Sequence, residues 1–204
     1  MNKSKAKNFS LYQQTQPFIT LIMLFFLALS VRASDEELRD PREYFFSQSF
    51  GDLNEELQTA KSEGKKGMLL FFESEHCKYC QAMLKGVLSR ANVQDWYQNH
   101  FLSIAIDIRG DVEIKDLDGI TLPSKVFAEH REVFMTPVLT FIDLEGAEVY
   151  RHLGMVKTSE ELLMLGEYIV GGYYFDTEFR LFEQQQGLSN TEKQLRTPQA
   201  ENVN

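Results

Sequence analysis

Cysteine is scarce in this chain of 204 residues, which contains two cysteines and four histidines. A structural zinc site needs four ligands, and the chain has no second CxxC and no paired histidines to complete one around the two cysteines. Basic clusters and stripes are absent, and the formal net charge is −9, so nothing in the sequence indicates nucleic-acid binding. Internal repeats are absent as well. These absences leave an ordinary globular chain, since 43% of its residues are hydrophobic and 25% are charged.

The two cysteines lie where a buried strand is followed by a helix. The apolar run Met68 to Phe72 predicts the strand, and the residues after Cys80 have helical spacing. Cys77 and Cys80 occupy positions i and i+3, which lie about 5–6 Å apart on one helix face. That separation suits a disulfide, whose Cα atoms lie about 4.4–6.8 Å apart.

A helix N-terminus stabilises a thiolate, and Lys78 adds a positive charge beside Cys77. We therefore interpret the pair as a redox dithiol in which Cys77 attacks and Cys80 resolves. Two other interpretations stay open at this point. The pair is half of a zinc site, or it is a static staple, although so short a loop would stabilise the fold only weakly.

The N-terminus has the three-part pattern of a secretory signal. Lysines at its start precede an apolar run from Phe18 to Leu29, and Val31 and Ala33 are small or medium-sized residues at the −3 and −1 positions of a cut after Ala33. The run is shorter than the ~20 residues that a spanning helix needs. We predict a signal peptide over residues 1–33, with an uncleaved membrane anchor as the alternative. Export would place the dithiol in an oxidising compartment, where it stays reduced only if electrons are supplied.

Hydrophobic patterning organises the rest of the chain. We expect a linker over residues 34–44, a folded domain over 45–175 and a largely disordered extension over 176–204. Residues 44–50 are predicted to form a short strand or a packed extended segment. A polar excursion at residues 109–122 is interpreted as a solvated loop or edge hairpin. Its acidic residues do not match the spacing of a calcium-binding EF-hand loop.

The remaining predicted elements follow one another along the domain. They are a helix from Leu53 to Ser62 capped by Asp52, a helix from the cysteines to about Arg90, a helix from Asn92, a strand at residues 101–108, a helix from Pro123 to about His130, a strand after Pro137, a hairpin at residues 144–146, a strand at 147–152 and a helix from Glu160 to Val170 capped by Ser159. The single tryptophan, Trp96, is predicted to anchor the core.

This order of elements resembles the thioredoxin fold. The resemblance rests on Cys77-Lys78-Tyr79-Cys80 after a buried strand, on Thr136-Pro137 before a later strand, and on Gly154 before the last helix. It covers about residues 45 to 175. We therefore predict an α/β thioredoxin fold with a central mixed sheet flanked by helices, an N-terminal extension and an insertion before the third helix.

Within that superfamily the chain is most similar to SoxW-like periplasmic thioredoxins. The closer match lies in residues 44–53, in the insertion around Asp116 to Gly119, and in Met135-Thr136-Pro137. The resemblance implies that Pro137 is cis and abuts the disulfide, and that the Thr136 backbone pairs with the substrate's chain. We also predict that Lys78 and Tyr79 contact the substrate. Neither a metal nor another cofactor is expected.

The chain departs from thioredoxin around the cysteines. Thioredoxin has a buried aspartate six residues before its first cysteine, and the corresponding residue here is Phe71. The tryptophan that precedes the first cysteine is replaced by His76. Glu73 and Glu75 are candidates for the missing proton-transfer group, but we expect both to be solvated loop carboxylates.

The function predicted from the sequence is that of a periplasmic thiol–disulfide oxidoreductase. The resemblance implies reduction of disulfides in client proteins and a membrane electron donor. One alternative is a disulfide oxidase or isomerase. Another is a thioredoxin-fold binding or copper-handling module, because two thiolates suit Cu(I).

The N-terminal pattern makes a testable prediction. We expect cleavage after Ala33, because Val31 and Ala33 suit the −3 and −1 positions and follow an apolar run of signal length. N-terminal sequencing of the exported protein should begin at Ser34. An intact Met1 in the membrane fraction would establish the anchor instead.

Overall fold

The computed structural model describes residues 37–196, and the side chains of residues 37–187. The predicted signal peptide, residues 1–33, lies outside the described residues. The helices of the described part are α1 (Pro41–Tyr44), α2 (Leu53–Ser62), α3 (Lys78–Lys85), α4 (Ala91–His100), α5 (Ser124–His130), α6 (Ser159–Val170) and α7 (Phe179–Arg196), with a 3₁₀ turn at Tyr173–Phe175. The strands are β1 (Gly67–Glu73), β2 (Phe101–Asp107), β3 (Glu113–Lys115), β4 (Thr121–Pro123), β5 (Val138–Asp143) and β6 (Glu148–Leu153). Within residues 37–196, every helix is too short or too polar to cross a bilayer.

The central sheet has four strands in the order β2-β1-β5-β6. Strand β1 pairs with β2 in parallel and with β5 in antiparallel orientation, and β6 pairs antiparallel with β5. Helices pack against this mixed sheet, so the predicted α/β class and sheet type are confirmed.

Alternation along β1 divides the core in two. Leu69 and Phe71 belong to one cluster, which also contains Cys80 of α3 and the apolar residues of α6. Met68, Leu70 and Phe72 belong to the other cluster, with α2 and α5. All seven residues of β1 are buried, because β2 and β5 pair with its two edges and helices pack on both faces of the sheet. The cysteine helix therefore lies on the same side of the sheet as α6.

Two of the helix predictions need correction at their ends. The helix after the cysteines ends at Lys85 rather than near Arg90, since Gly86 follows and residues 86–89 form turns. The last helix of the predicted domain is capped by Thr158 rather than Ser159, because the Thr158 hydroxyl accepts a hydrogen bond from the Glu161 N–H. The predicted Asp52 cap on α2 is confirmed.

The insertion forms a separate two-stranded hairpin of β3 and β4, as one of the two sequence interpretations proposed. Lys115 of the hairpin donates to the Asp52 carboxylate at 2.7 Å, and this bond is the main cause of the lowered pKa of Asp52. At the hairpin turn, Asp116 is buried and forms an ion pair with Arg131, which follows α5. These contacts hold the insertion against α2 and the end of α5.

The predicted linker is folded over its described residues, 37–44. Asp40 caps α1, Arg39 pairs with Asp95 of α4, and Arg42 pairs with Glu73 of β1. The next residues, Phe45 and Phe46, are buried in the cluster of α3 and α6. Of the two interpretations of residues 44–50, the structure has a packed segment rather than a strand, because Phe45 and Phe46 are buried in the core.

The C-terminal extension is also not disordered, at least through Arg196. Helix α7 begins at Phe179, and Phe179 and Phe182 are buried against the Tyr168 ring, with centroids 5.3 and 5.4 Å away. These two anchors bind the first turn of α7, and the Gln and Glu residues that follow are good helix formers. The polar composition from Glu183 on predicted disorder, whereas the helix that starts at Phe179 continues through Arg196.

Trp96 packs on the one glycine inside α6. Its ring is half-buried and stacks on His100 with centroids 4.1 Å apart, and it packs against the core cluster of α3 and α6. A Cβ added at Gly166 would lie 2.2 Å from a carbon of this ring. Glycine therefore stands mid-helix because α4 and α6 approach closely at this position.

This contact makes a prediction about stability. We expect Gly166→Ala to lower the free energy of unfolding by about 1–3 kcal/mol, because overpacking the Trp96 contact outweighs the higher helix propensity of alanine, which is about 1 kcal/mol. Gly187→Ala in α7 is the matched control, since nothing lies within 4 Å of a Cβ there. Urea unfolding of both variants tests the argument, and equal midpoints would contradict it.

Candidate redox site

Cys77 lies at the N-terminus of α3 and forms a disulfide with Cys80. The Cα atoms are 5.2 Å apart. Cys77 is the N-cap, and its Sγ accepts a hydrogen bond from the Cys80 N–H at 3.0 Å. Free N–H groups at a helix N-terminus stabilise negative charge on a sulfur in this position. The local geometry therefore favours a thiolate on Cys77 once the disulfide is reduced.

The two sulfur-bearing residues differ in exposure. Cys77 is half-buried, whereas Cys80 is completely buried and belongs to the core cluster beneath α3. A client disulfide can approach the first sulfur but not the second. This difference supports the predicted roles of attacking and resolving cysteine.

The residues between the cysteines are exposed. The Lys78 ammonium lies 4.9 Å from the centroid of the Tyr79 ring, over its face. Half of the Tyr79 surface is accessible, at 50%. Contact of Lys78 and Tyr79 with the substrate stays a prediction, and the exposure of both side chains is compatible with it.

The register of the sheet brings the second motif to the same end of the molecule. Phe72 of β1 is paired with Val138 of β5, so Pro137 lies beside the end of β1 from which the cysteine loop departs. The Thr136–Pro137 peptide bond is cis, Pro137 is buried, and its carbonyl accepts from the Gly154 N–H at 3.0 Å. The two motifs are far apart in sequence, but both lie at the same end of the paired strands β1 and β5.

Large apolar side chains are exposed at this end of the sheet. Phe134 and Met135 directly precede the Thr136-Pro137 pair and are 74% and 65% exposed. Leu153, which is paired with Val138 at the end of β6, is 63% exposed. We call Tyr79, Phe134, Met135 and Leu153 the apolar rim. Exposed apolar groups of this size mark surfaces that bind a protein, a membrane or a ligand.

The structure separates the two acidic candidates for proton transfer. Glu75 is exposed, as expected of a solvated loop carboxylate. Glu73 is buried, and its carboxylate pairs with the Arg42 guanidinium at 2.5 Å. The expectation that Glu73 is solvated is wrong, because β1 extends one residue beyond the apolar run and its alternation directs Glu73 to the side of Phe71.

Family similarity agrees with this geometry. Residues 53–169, more than half of the chain, match the thioredoxin-like domain family. The chain belongs to the thioredoxin-like domain family. No curated protein shows significant sequence similarity to it.

Solved structures of other proteins are similar to this chain. A thioredoxin-fold protein from Helicobacter pylori is 23% identical, with a TM-score of 0.55 over 72% of this chain and 94% of that one. The C-terminal domain of DsbD from Neisseria meningitidis, in the oxidised form, is 15% identical, with a TM-score of 0.43 over 56% and 90% of the two chains. A thioredoxin from Thermus thermophilus is 27% identical, with a TM-score of 0.42 over 56% and 84%.

Among the described residues, one cluster has the composition of a metal site. Asp116, Asp118 and His130 of this thioredoxin-like chain offer ligand atoms within 4.8 Å of one another. The Asp116 carboxylate, however, already accepts hydrogen bonds on both oxygens from the Arg131 guanidinium. Its charge is therefore balanced by a cation from the protein itself.

Sequence reasoning found Tyr79 but missed the other three residues of the apolar rim and the Arg42–Glu73 pair. The rim residues stand next to motif residues, but exposure of Phe134 and Met135 cannot be separated from burial by composition alone. The alternation Leu69, Phe71, Glu73 did contain the information that Glu73 points to the cysteine side. Its partner Arg42 lies in a segment that was predicted to be a linker.

The unequal exposure predicts selective labelling. In the reduced protein under native conditions, iodoacetamide should modify Cys77 and leave Cys80 intact, because only the first is accessible to solvent. Mass spectrometry of peptides measures the two sites. With Cys77→Ser, labelling of Cys80 should appear only after denaturant is added; native labelling of Cys80 at the rate of Cys77 would contradict the assignment.

Proposed function

We propose that the chain is a periplasmic thiol–disulfide oxidoreductase that reduces disulfides of client proteins. The observation that carries the proposal is the pair itself: an accessible Cys77 at a helix N-terminus and a buried Cys80 one turn later. Membership of the thioredoxin-like family supports a disulfide chemistry for this pair. The secretory pattern at residues 1–33 supports export.

The reaction proceeds by two thiol–disulfide exchanges. The Cys77 thiolate attacks one sulfur of the client disulfide, which forms a mixed disulfide and releases the first client thiolate. The Cys80 thiolate then attacks the Cys77 sulfur, forming the Cys77–Cys80 disulfide and releasing the second client thiolate. The client gains two electrons and the chain's dithiol loses two. A membrane-bound dithiol donor is required to reduce the chain again.

The apolar rim suits clients that present the disulfide within an exposed, partly unfolded segment. Tyr79 stands between the cysteines, while Phe134 and Met135 lead into the Thr136-Pro137 pair. An apolar side chain near the client's cysteine would cover this rim and lose its own contact with water. The narrower similarity to SoxW-like thioredoxins stays a prediction, and it is what favours reduction over oxidation.

One structural observation favours a second candidate, a disulfide oxidase or isomerase. The helix N-terminus stabilises the Cys77 thiolate, and a stabilised reduced form makes a dithiol couple more oxidising. The reduction potential separates the two directions. A value of about −270 mV indicates a reductase, and a value of about −120 mV indicates an oxidase.

A copper-handling module is tested by turnover. If the dithiol is catalytic, metal-free protein should accelerate the reduction of insulin by dithiothreitol. Absence of turnover, together with tight binding of Cu(I) by both cysteines, would support the binding module instead.

Trapping experiments test the mechanism. With Cys80→Ser, mixed disulfides with client proteins should accumulate, because Cys77 attacks but no internal thiol resolves the adduct. With Cys77→Ser they should not form, because Cys80 is buried. Non-reducing electrophoresis of exported protein measures both. Adducts in the Cys77→Ser variant alone would reverse the two roles.

A further inference from the structure

A glutamate occupies a backbone position after α5 that favours glycine. Glu132 has a φ of 56°, and among the residues that the structure describes it is the one non-glycine residue with positive φ. The left-handed region brings the Cβ atom of an L-residue too close to its own backbone. The side chains enriched there are those of asparagine, aspartate and histidine rather than glutamate. Backbone geometry therefore does not explain the choice of glutamate at this position.

The same turn is made with glycine elsewhere in the chain. After α5, the Glu132 N–H donates to the Glu129 carbonyl at 2.9 Å. The next N–H, that of Val133, donates to the Ala128 carbonyl at 2.8 Å. These two bonds form a Schellman motif, in which the second residue after the helix is left-handed. The corresponding two bonds follow α2, where that residue is Gly64 at φ 69°. Glycine at 132 would therefore keep the turn and relieve its strain.

The Glu132 side chain is exposed and is not used by the fold. Among the described residues, no hydrogen bond or ion pair involves its carboxylate. Its neighbour Arg131 does not neutralise it, because the Arg131 guanidinium pairs with the buried Asp116 and lies 3.8 Å from the Glu148 carboxylate. The carboxylate therefore has no polar contact within the described part of the chain that would offset the backbone strain.

The segment that follows places this carboxylate beside the apolar rim. Phe134 and Met135 are two and three residues after Glu132, and the intervening Val133 is 3% exposed. Val133 thus holds the segment to the core while its neighbours remain outside. A chain spans at most about 3.6 Å per residue, so the Cα atoms of Glu132 and Met135 are no more than about 11 Å apart. A client segment that covers Met135 therefore passes within reach of the Glu132 carboxylate.

We propose that Glu132 determines client specificity: its carboxylate pairs with a lysine or arginine side chain of the client segment that covers Phe134 and Met135. This inference rests on the dithiol function proposed above. The ion pair forms when the client binds and takes no part in the two exchange steps. It favours clients that carry a basic residue close to the disulfide, and the same charge repels clients that carry an acidic residue there.

Three fluorescent peptides test the proposal. They carry the same intermolecular disulfide and differ only in the residues three positions before and after the cysteine, which are both lysine, both glutamine or both glutamate. The second-order rate constant for reduction by the reduced, exported protein is measured for each peptide. The ratio of the lysine to the glutamine peptide reports the preference, and comparison of this ratio between variants cancels the effect of Lys78, which all of them contain.

We expect this ratio to be about two- to fivefold higher in wild type than in Glu132→Gln, which is the size of effect that an exposed ion pair produces. The glutamate peptide should show the opposite change. The glutamine peptide should react with both proteins at rates within about twofold of each other. In about 1 M salt the difference should disappear, because the screening length falls to about 3 Å.

Two further variants separate the local charge from other effects. Glu129→Gln is the matched control, because it removes an exposed carboxylate three residues earlier and changes the net charge equally. It should keep the wild-type ratio. Glu132→Gly should lose the preference and raise the urea midpoint, because glycine adopts positive φ without strain.

The outcomes decide the proposal. A ratio that falls in Glu132→Gln and Glu132→Gly but not in Glu129→Gln supports it. An unchanged ratio in Glu132→Gln overturns it, and so does an equal fall in Glu129→Gln, because the charge would then act only through the overall field of the protein. A urea midpoint of Glu132→Gly that does not rise would remove its premise. If wild type reduces none of the peptides, the dithiol function itself fails, and this inference fails with it.

Discussion

The fold depends on the double pairing of β1. This strand is hydrogen-bonded to β2 on one side and β5 on the other, and each of its seven residues is buried. Its alternation supplies both core clusters, and its register with β5 sets Pro137 beside the cysteine loop. A shift of one residue would exchange the two faces and direct Phe71 away from α3. The relative position of the cysteines and Pro137 therefore depends first on strand pairing, and only then on the conformation of the cysteine loop.

Much of this arrangement could be predicted from the sequence. The apolar run before Cys77 identified the central strand, and the Asp52 cap and the Thr136-Pro137 pair placed other elements correctly. Such features are local, since a cap, a turn or a buried strand leaves its pattern within a few residues. The differences lie at both ends of the domain, where Phe46 and Phe182 enter the core cluster of α3 and α6 and the polar segments next to them become helical.

At the candidate site, too, local features could be predicted from the sequence and long-range contacts could not. The residue types at Cys77 and Cys80 indicate their chemistry, but their unequal exposure depends on how deeply α3 packs on the sheet. Glu73 was interpreted as solvated because its neighbours in sequence are polar. In the structure it is buried with Arg42, which lies 31 positions earlier and belongs to a short helix that the composition did not indicate. Long-range ion pairs of this kind leave no local pattern, so only the assembled fold reveals them.

Both ends of the folded part close one and the same core. Phe45 and Phe46 enter the cluster of α3 and α6 from the N-terminal side, while Phe179 and Phe182 enter it from the C-terminal side. The cluster is therefore complete only when segments on both sides of residues 53–169, the part that matches the family, have packed against it. Local opening of either segment would expose the same apolar surface to water and to other chains.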